Sequence, residues 1–281
     1  MSIQILSDLH LEVTRNYDAF EVIPRAPYLA LVGDIGAVSD EGLFSFLRRQ
    51  LAQFRAVLFV AGNHEAYHSA WTDTIRVLTE FQESIRGDAK LGEFVLLDRA
   101  SYRLADSKVV VLGCSLFSHV PQKSQDEVGS KLNDFRYTTD WTVLQHNEAH
   151  ARDLRWLNDT IASLEDDAEV VVLTHWSPST HTQAVDPRYT KSSIRSAFAT
   201  DVSREDCYKS PKTRAWVFGH THFNCDFVVK RRGASPLRIV TNQAGYFSQA
   251  AGFDPQKVIN SVEHITGHGD VGFPARDCVV L

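Results

Sequence analysis

Short, continuously apolar runs recur along the chain, and most of them end in a small polar cluster. They fall at residues 28–32, 56–60, 170–174 and 215–218, with a short strand that includes Gln4 at 3–6. A strand with one wet face alternates apolar and polar residues; a run that is apolar throughout predicts a strand covered on both faces. Between the runs at 28–32 and 56–60, Ser39 or Asp40 is placed to cap a helix reaching about residue 54. Leu43, Phe46, Leu47 and Leu51 fall on one face of it. A second amphipathic helix is predicted over about 69–86. Strand, helix and strand in this order predict an α/β sheet with helices packed on it, and such sheets place ligands beyond the carboxyl ends of their strands.

The middle of the chain has a different rhythm. Residues 94–97, 101–104 and 108–113 are closely spaced strands with turn residues between them, which predicts antiparallel hairpins and a second sheet. Residues 118–139 are polar and irregular, a surface loop or lid. A longer amphipathic helix is predicted over 141–164, with Leu154, Trp156, Leu157, Ile161 and Leu164 apolar. Residues 176–213 read as loop with short helical pieces, a second lid candidate. Residues 227–230 and 237–240 form a hairpin across Arg231-Arg232-Gly233, and 251–281 is a polar, weakly patterned C-terminal extension. No internal repeat or domain boundary is visible, so residues 1–281 are expected to form a single domain.

Composition narrows the function classes. The chain has 281 residues, 43% of them apolar, enough for a sizeable core. Its 35 acidic and 29 basic residues give a net charge of −6, which argues against a protein that tracks along nucleic acid; no stable nucleic-acid partner is expected. Cys114, Cys207, Cys225 and Cys278 show no paired spacing and read as ordinary intracellular thiols. The chain enters its first strand directly, without an apolar leader, and no stretch approaches the ~20 apolar residues of a membrane helix. The expectation is a cytoplasmic protein with no transmembrane segment.

The chemistry collects at the strand ends. In order they carry Asp8-Leu9-His10, Gly33-Asp34, Gly62-Asn63-His64-Glu65, His175 and Gly219-His220-Thr221-His222. Each has a bland reading by itself. Asp34 could cap a helix, Asn63 suits a turn, His175 could be a hydrogen-bonded core histidine, and a His-x-His pair arises by chance. Five such coincidences at one edge of the sheet point to metal binding instead, and twelve histidines in the chain agree with that.

These motifs together resemble those of the calcineurin-like metallophosphoesterase superfamily, over a span from Asp8 to His222. The resemblance implies a four-layer α/β/β/α sandwich, two mixed sheets flanked by helices, with a dinuclear metal site on the strand-end loops. It implies that Asp8, His10 and His222 hold one ion, that Asn63, His175 and His220 hold the other, and that Asp34 bridges them. It places His64 on the substrate instead of a metal. Carboxylate and imidazole ligands suit two divalent ions from among Mn, Fe, Zn and Ni. A hydroxide shared by the two ions would attack phosphorus, and His64 would protonate the leaving oxygen as general acid. Asp8 would orient His64 from behind. Asn242 to Tyr246 match a turn seen in relatives, for which plain chain reversal is the simpler reading.

Within the superfamily, Gly33-Asp34 continues as Ile35-Gly36-Ala37-Val38, without the arginine of the protein Ser/Thr phosphatases. The expected function is therefore a phosphodiesterase of small phosphate esters, cyclic nucleotides among them. A broad-range phosphomonoesterase is the alternative, and an inactive scaffold of the same fold the lesser one. Phe117, His119, Tyr137 and Trp176 could stack on a substrate base, although loop packing is the plainer role, and Arg136 could meet a phosphate oxygen. Cys278-Val279-Val280-Leu281 has the form of a prenylation signal, with no basic run before it.

Overall fold

The computed structural model describes residues 2–231 and 233–260. Two sheets lie face to face. The first has the order β11-β1-β2-β3-β4, from Val258–Asn260, Ser2–Leu6, Tyr28–Val32, Ala56–Val60 and Glu93–Leu96. The second has the order β5-β6-β7-β8-β10-β9, from Ala100–Arg103, Val109–Cys114, Glu169–Thr174, Thr213–Phe218, Leu237–Thr241 and Asp226–Val229. Both are mixed: β1 to β4 run parallel with β11 antiparallel, while β6, β7, β8 and β10 run parallel between antiparallel β5 and β9.

The unbroken apolar runs now have a physical reason. Successive side chains of a strand point to opposite faces. Ile3, Ile5, Tyr28, Ala30, Val32, Leu58 and Val60 enter the core between the sheets, where they meet Val109, Val111, Val171, Leu173 and Val217. The intervening Leu29, Leu31, Val57 and Phe59 pack outward under α2 (Glu41–Leu51) and α3 (Trp71–Ile85). On the far side Val110, Leu112, Val170, Val172, Trp216 and Phe218 pack under α6 (Val143–Ser163) and α7 (Asp206–Lys209). Both faces of each sheet are dry, and the result is the expected α/β/β/α sandwich.

Three expectations need correction. The strand at 93–96 does not open the second sheet; it is the parallel edge of the first, paired with β3, and the chain changes sheets only between Leu96 and Ala100. Close spacing suggested a hairpin, but Leu97 turns into the inter-sheet core. The segment 118–139 is not irregular: it carries α4 (Gln125–Lys131) and α5 (Asp134–Tyr137). The start of the C-terminal extension returns to the fold, since β11 pairs with β1, with Ile259 opposite Ile3. The tail with Cys278 lies outside the described residues. Among those described, no helix is long and apolar enough to cross a membrane.

Candidate metal centre

The parallel strands β1, β2, β3, β7 and β8 deliver their carboxyl ends to one rim, and the chain turns there within one or two residues. The turns use backbone that ordinary residues rarely adopt. Asp8, His10, Asp34, His220 and His222 all have φ between 47° and 68°. Left-handed backbone at non-glycine residues costs energy and clusters at functional sites. Here it points five ligand-type side chains back toward the strand ends. Glycines make the closeness possible: a Cβ at Gly33 (φ 84°) would collide with His175 Nδ1, and one at Gly219 with Ser7 Oγ and Asp8.

All eight residues singled out in the sequence come together. Three groups each hold their donor atoms within 4.8 Å: Asp8, His10 and His222; His10, Asp34 and His64; and Asp34, His175 and His220. His10 Nε2 and His222 Nε2 are 2.9 Å apart, and His222 Nε2 is 3.4 Å from Asp8 Oδ1. His175 Nε2 is 3.3 Å from Asp34 Oδ2 and 3.2 Å from the Asn63 carbonyl oxygen. His10 Nε2 and His64 Nε2 lie 3.9 and 4.0 Å from the same Asp34 Oδ2. Asp34 thus faces both halves of the cluster. Its other oxygen accepts from the His64 backbone N–H at 2.9 Å.

These residues fit a cation. His175 Nδ1 is 2.9 Å from the Val32 carbonyl, so it carries the ring N–H there and leaves Nε2 to face two acceptors. A lone pair opposite two oxygens is repulsive unless positive charge sits among them. His220 Nε2 is buried without a partner among the described residues. Its ring lies between Trp176 and Phe198, with centroids at 4.7 and 5.1 Å. A proton supplies that charge as well as a metal ion would: burial pulls the His175 imidazole down, but the charge of Asp34 outweighs it and lifts the pKa to about 10. Burial would raise Asp34, yet the charges of His175 and His64 hold it well below the usual carboxylate range. Burial drives His220 well below its ordinary value, with the charge of His175 adding to it.

Four residues whose side chains were given no role from the sequence complete the site. Glu12 takes the position expected of Asp8 behind His64: its Oε1 is 2.8 Å from His64 Nδ1 and 3.3 Å from His10 Nδ1. Asp8 is already engaged by His222, the His220 N–H at 2.9 Å and the Ser7 hydroxyl. Glu12 sits in the four-residue α1 (Leu11–Thr14), which starts directly after left-handed His10. Tyr246 does more than reverse the chain; its hydroxyl is 3.1 Å from His64 Nε2. Glu65 accepts from the backbone N–H groups of Gly62, Asp34 and Ile35 at 2.7, 2.9 and 2.7 Å, tying the second and third turns together. Tyr67 bonds Asn63 and Asp134. The acidic residue two places after Asp-x-His was the available signal for Glu12.

The other aromatic candidates part company. Phe117 and Trp176 are buried against Trp71, Trp141 and each other, which is packing. Tyr137 is 43% exposed and lies against Tyr67 at 5.4 Å. His119 pairs with His150 and bonds Thr200 through its N–H, and Arg136 donates to the Ser130 carbonyl.

Fold and site together define a metal-binding α/β/β/α hydrolase. The chain belongs to the calcineurin-like phosphoesterase family, whose sequence profile matches residues 1–224. It is 25% identical to an uncharacterized protein of Acanthamoeba polyphaga mimivirus, over 92% of this chain and 96% of that protein. Two solved structures share the fold at 14% identity. They are a phosphopantetheinyl hydrolase from Mycobacterium tuberculosis (TM-score 0.65; 87% of this chain, 89% of that one) and a dimetal phosphatase from Danio rerio (TM-score 0.52; 88% of each). Family and cluster support metal-dependent hydrolysis of phosphate esters.

Proposed function

We propose that the chain is a two-metal phosphodiesterase of small diesters, cyclic nucleotides among them, with His64 as its general acid. Asp8, His10 and His222 hold one ion, Asn63, His175 and His220 the other, and Asp34 serves both. When bound, the ions supply an acidified water as nucleophile and positive charge against the phosphoryl oxygens. Mn, Fe, Zn and Ni all suit this donor set.

The observation that carries the reading is the suspension of His64 between Glu12 and Tyr246. Glu12 on Nδ1 fixes the ring and the tautomer, so the proton available for transfer is on Nε2. Burial lowers this imidazole, but the charges of Asp34 and Glu12 raise it to about 9. The Tyr246 hydroxyl holds the position at Nε2 that the departing oxygen takes when substrate binds. A proton donor of this kind serves an alkoxide, the leaving group of an alkyl diester.

The loop after Asp34 supports a diester over a monoester. Ile35, Ala37 and Val38 are buried, and Ile35 N–H bonds Glu65. The side chains facing the cluster are imidazoles, carboxylates, an amide and two phenols; among the described residues no lysine or arginine bonds them. A monoester dianion gains most from a guanidinium clamp, a diester monoanion less. The test is a panel of cyclic nucleotides, linear diesters and monoesters, with metal content measured on the same sample. Diesters turned over at least tenfold better in kcat/KM support the reading. A preference for monoesters makes the chain a phosphomonoesterase, and turnover of neither with manganese overturns the enzyme reading.

A further inference from the structure

Asn63 poses a problem that the carboxylates facing the cluster do not. A carboxylate presents oxygen whichever way it turns. A primary amide has one face that can meet a cation and one that repels it, and the two are nearly the same shape. Something must decide which face looks into the site.

The Asn63 amide nitrogen is 3.0 Å from Asp134 Oδ1 and 2.9 Å from the Tyr67 hydroxyl oxygen. Tyr67 in turn donates to the same Asp134 oxygen at 2.7 Å, so its hydroxyl is left to accept from Asn63. Both neighbours on that side are acceptors. A carboxylate offers no hydrogen to an amide oxygen, so the flipped amide would face repulsion from Asp134. The amide nitrogen therefore turns outward, and the carbonyl oxygen turns in, beside His175 Nε2.

Asp134 has no other visible task. It is buried, and its second oxygen has no partner among the described residues. A buried carboxylate is costly unless something uses it. It arrives on α5, from the segment 118–139, far from the strand-end motifs in sequence. The same short helix is fastened to the rim at its other end, where the Tyr137 carbonyl accepts from the His68 N–H at 2.7 Å.

We propose that Asp134 is the positioning residue that sets the orientation of the Asn63 amide and so presents its oxygen to a metal ion. The proposal rests on Asn63 being a ligand. It makes α5 part of the metal site and not a cover over it.

The test is manganese affinity, measured by calorimetry on the full chain after chelator treatment. Folding is checked by circular dichroism and thermal melting without metal. Asp134→Leu removes the acceptor and is expected to weaken manganese binding ~10–100-fold, the usual effect of losing a group behind a ligand. The decisive comparison reverses the bond. Asn63→Asp alone sets two carboxylates side by side, whereas Asn63→Asp with Asp134→Asn restores a donor–acceptor pair with opposite polarity. The double variant is expected to bind manganese at least tenfold more tightly than Asn63→Asp alone. A purely structural role for Asp134 would not be rescued this way. Wild-type affinity in a folded Asp134→Leu protein overturns the proposal, as does a double variant no better than Asn63→Asp; should Asp134→Leu not fold, the second comparison decides. Wild-type protein that takes up no manganese fails at the earlier step, the metal reading itself, and takes this proposal with it.

Discussion

Two regions of the molecule bury histidines, and only one of them sets carboxylates against the rings. At the rim, His64 and His175 are lifted to about 9 and about 10, each with Asp34 as a neighbour. Beside the rim lies an aromatic wall of Phe117, Trp141, Trp176 and Phe135, with His146 in its midst. There burial pushes His146 down to about 3, the charge of His150 adds to it, and Ser118 bonds its Nε2. Trp176 touches both regions, with its ring 5.6 Å from His146 and 5.1 Å from His175. Burial lowers every one of these imidazoles, and the pKa ends above its ordinary value only where a carboxylate faces the ring closely enough to outweigh it; at the rim itself His220 stays low. The rim collects positive charge because Asp8, Asp34 and Glu12 are walled in with it. The wall is apolar and packs against the rim through Trp176.

The comparison can be broken at several points. The largest effect is expected for His220→Ala, which removes a rim imidazole whose Nε2 bonds nothing else among the described residues. We expect loss of bound metal and a fall in turnover beyond the ~10–100-fold typical of groups behind a ligand, read by elemental analysis and kinetics on one sample. Retained metal and rate would remove His220 from the site. Glu12→Gln keeps the shape but not the charge. It should lower turnover of alkyl diesters about tenfold to a hundredfold when compared at equal metal loading, with metal affinity also reduced because the same carboxylate backs His10. An unchanged rate would leave His64 without need of its carboxylate.

The smallest effect concerns the wall, and it is one of stability. The folded pKa of His146 lies below its ordinary value of 6.5, so the unfolded chain binds the proton more readily. Its contribution to stability is whole above pH 6.5 and is lost as the pH falls toward about 3, at up to ~1.4 kcal/mol per pH unit. His146→Gln, which keeps an acceptor for Ser118, should flatten that slope between pH 6 and 4 in denaturant titrations. An identical slope in the variant would place the acid sensitivity elsewhere.

The layers were legible in the sequence because the strands are dry on both sides and read as unbroken apolar runs. The rim was legible because its residues follow those strands directly in the chain. What escaped was whatever depends on a path through space. Glu93–Leu96 looks like half of a hairpin, and only Leu97 entering the core reveals that the chain is changing sheets. Asp134 is an ordinary acid in a polar stretch until α5 brings it to Asn63. Glu12 was passed over in favour of Asp8 because left-handed backbone at His10, which no periodicity announces, turns α1 back over the site.

The central claim is that His64 stands among the ligands and gives a proton without holding a metal. The most direct measurement compares wild type with His64→Ala, at equal metal content, over a series of diesters of rising leaving-group pKa. We predict equal metal in the two proteins and a rate deficit of ~100- to 10,000-fold on alkyl esters that shrinks steadily as the leaving group becomes more acidic. A deficit that is the same for every leaving group, or metal lost along with the imidazole, would contradict it.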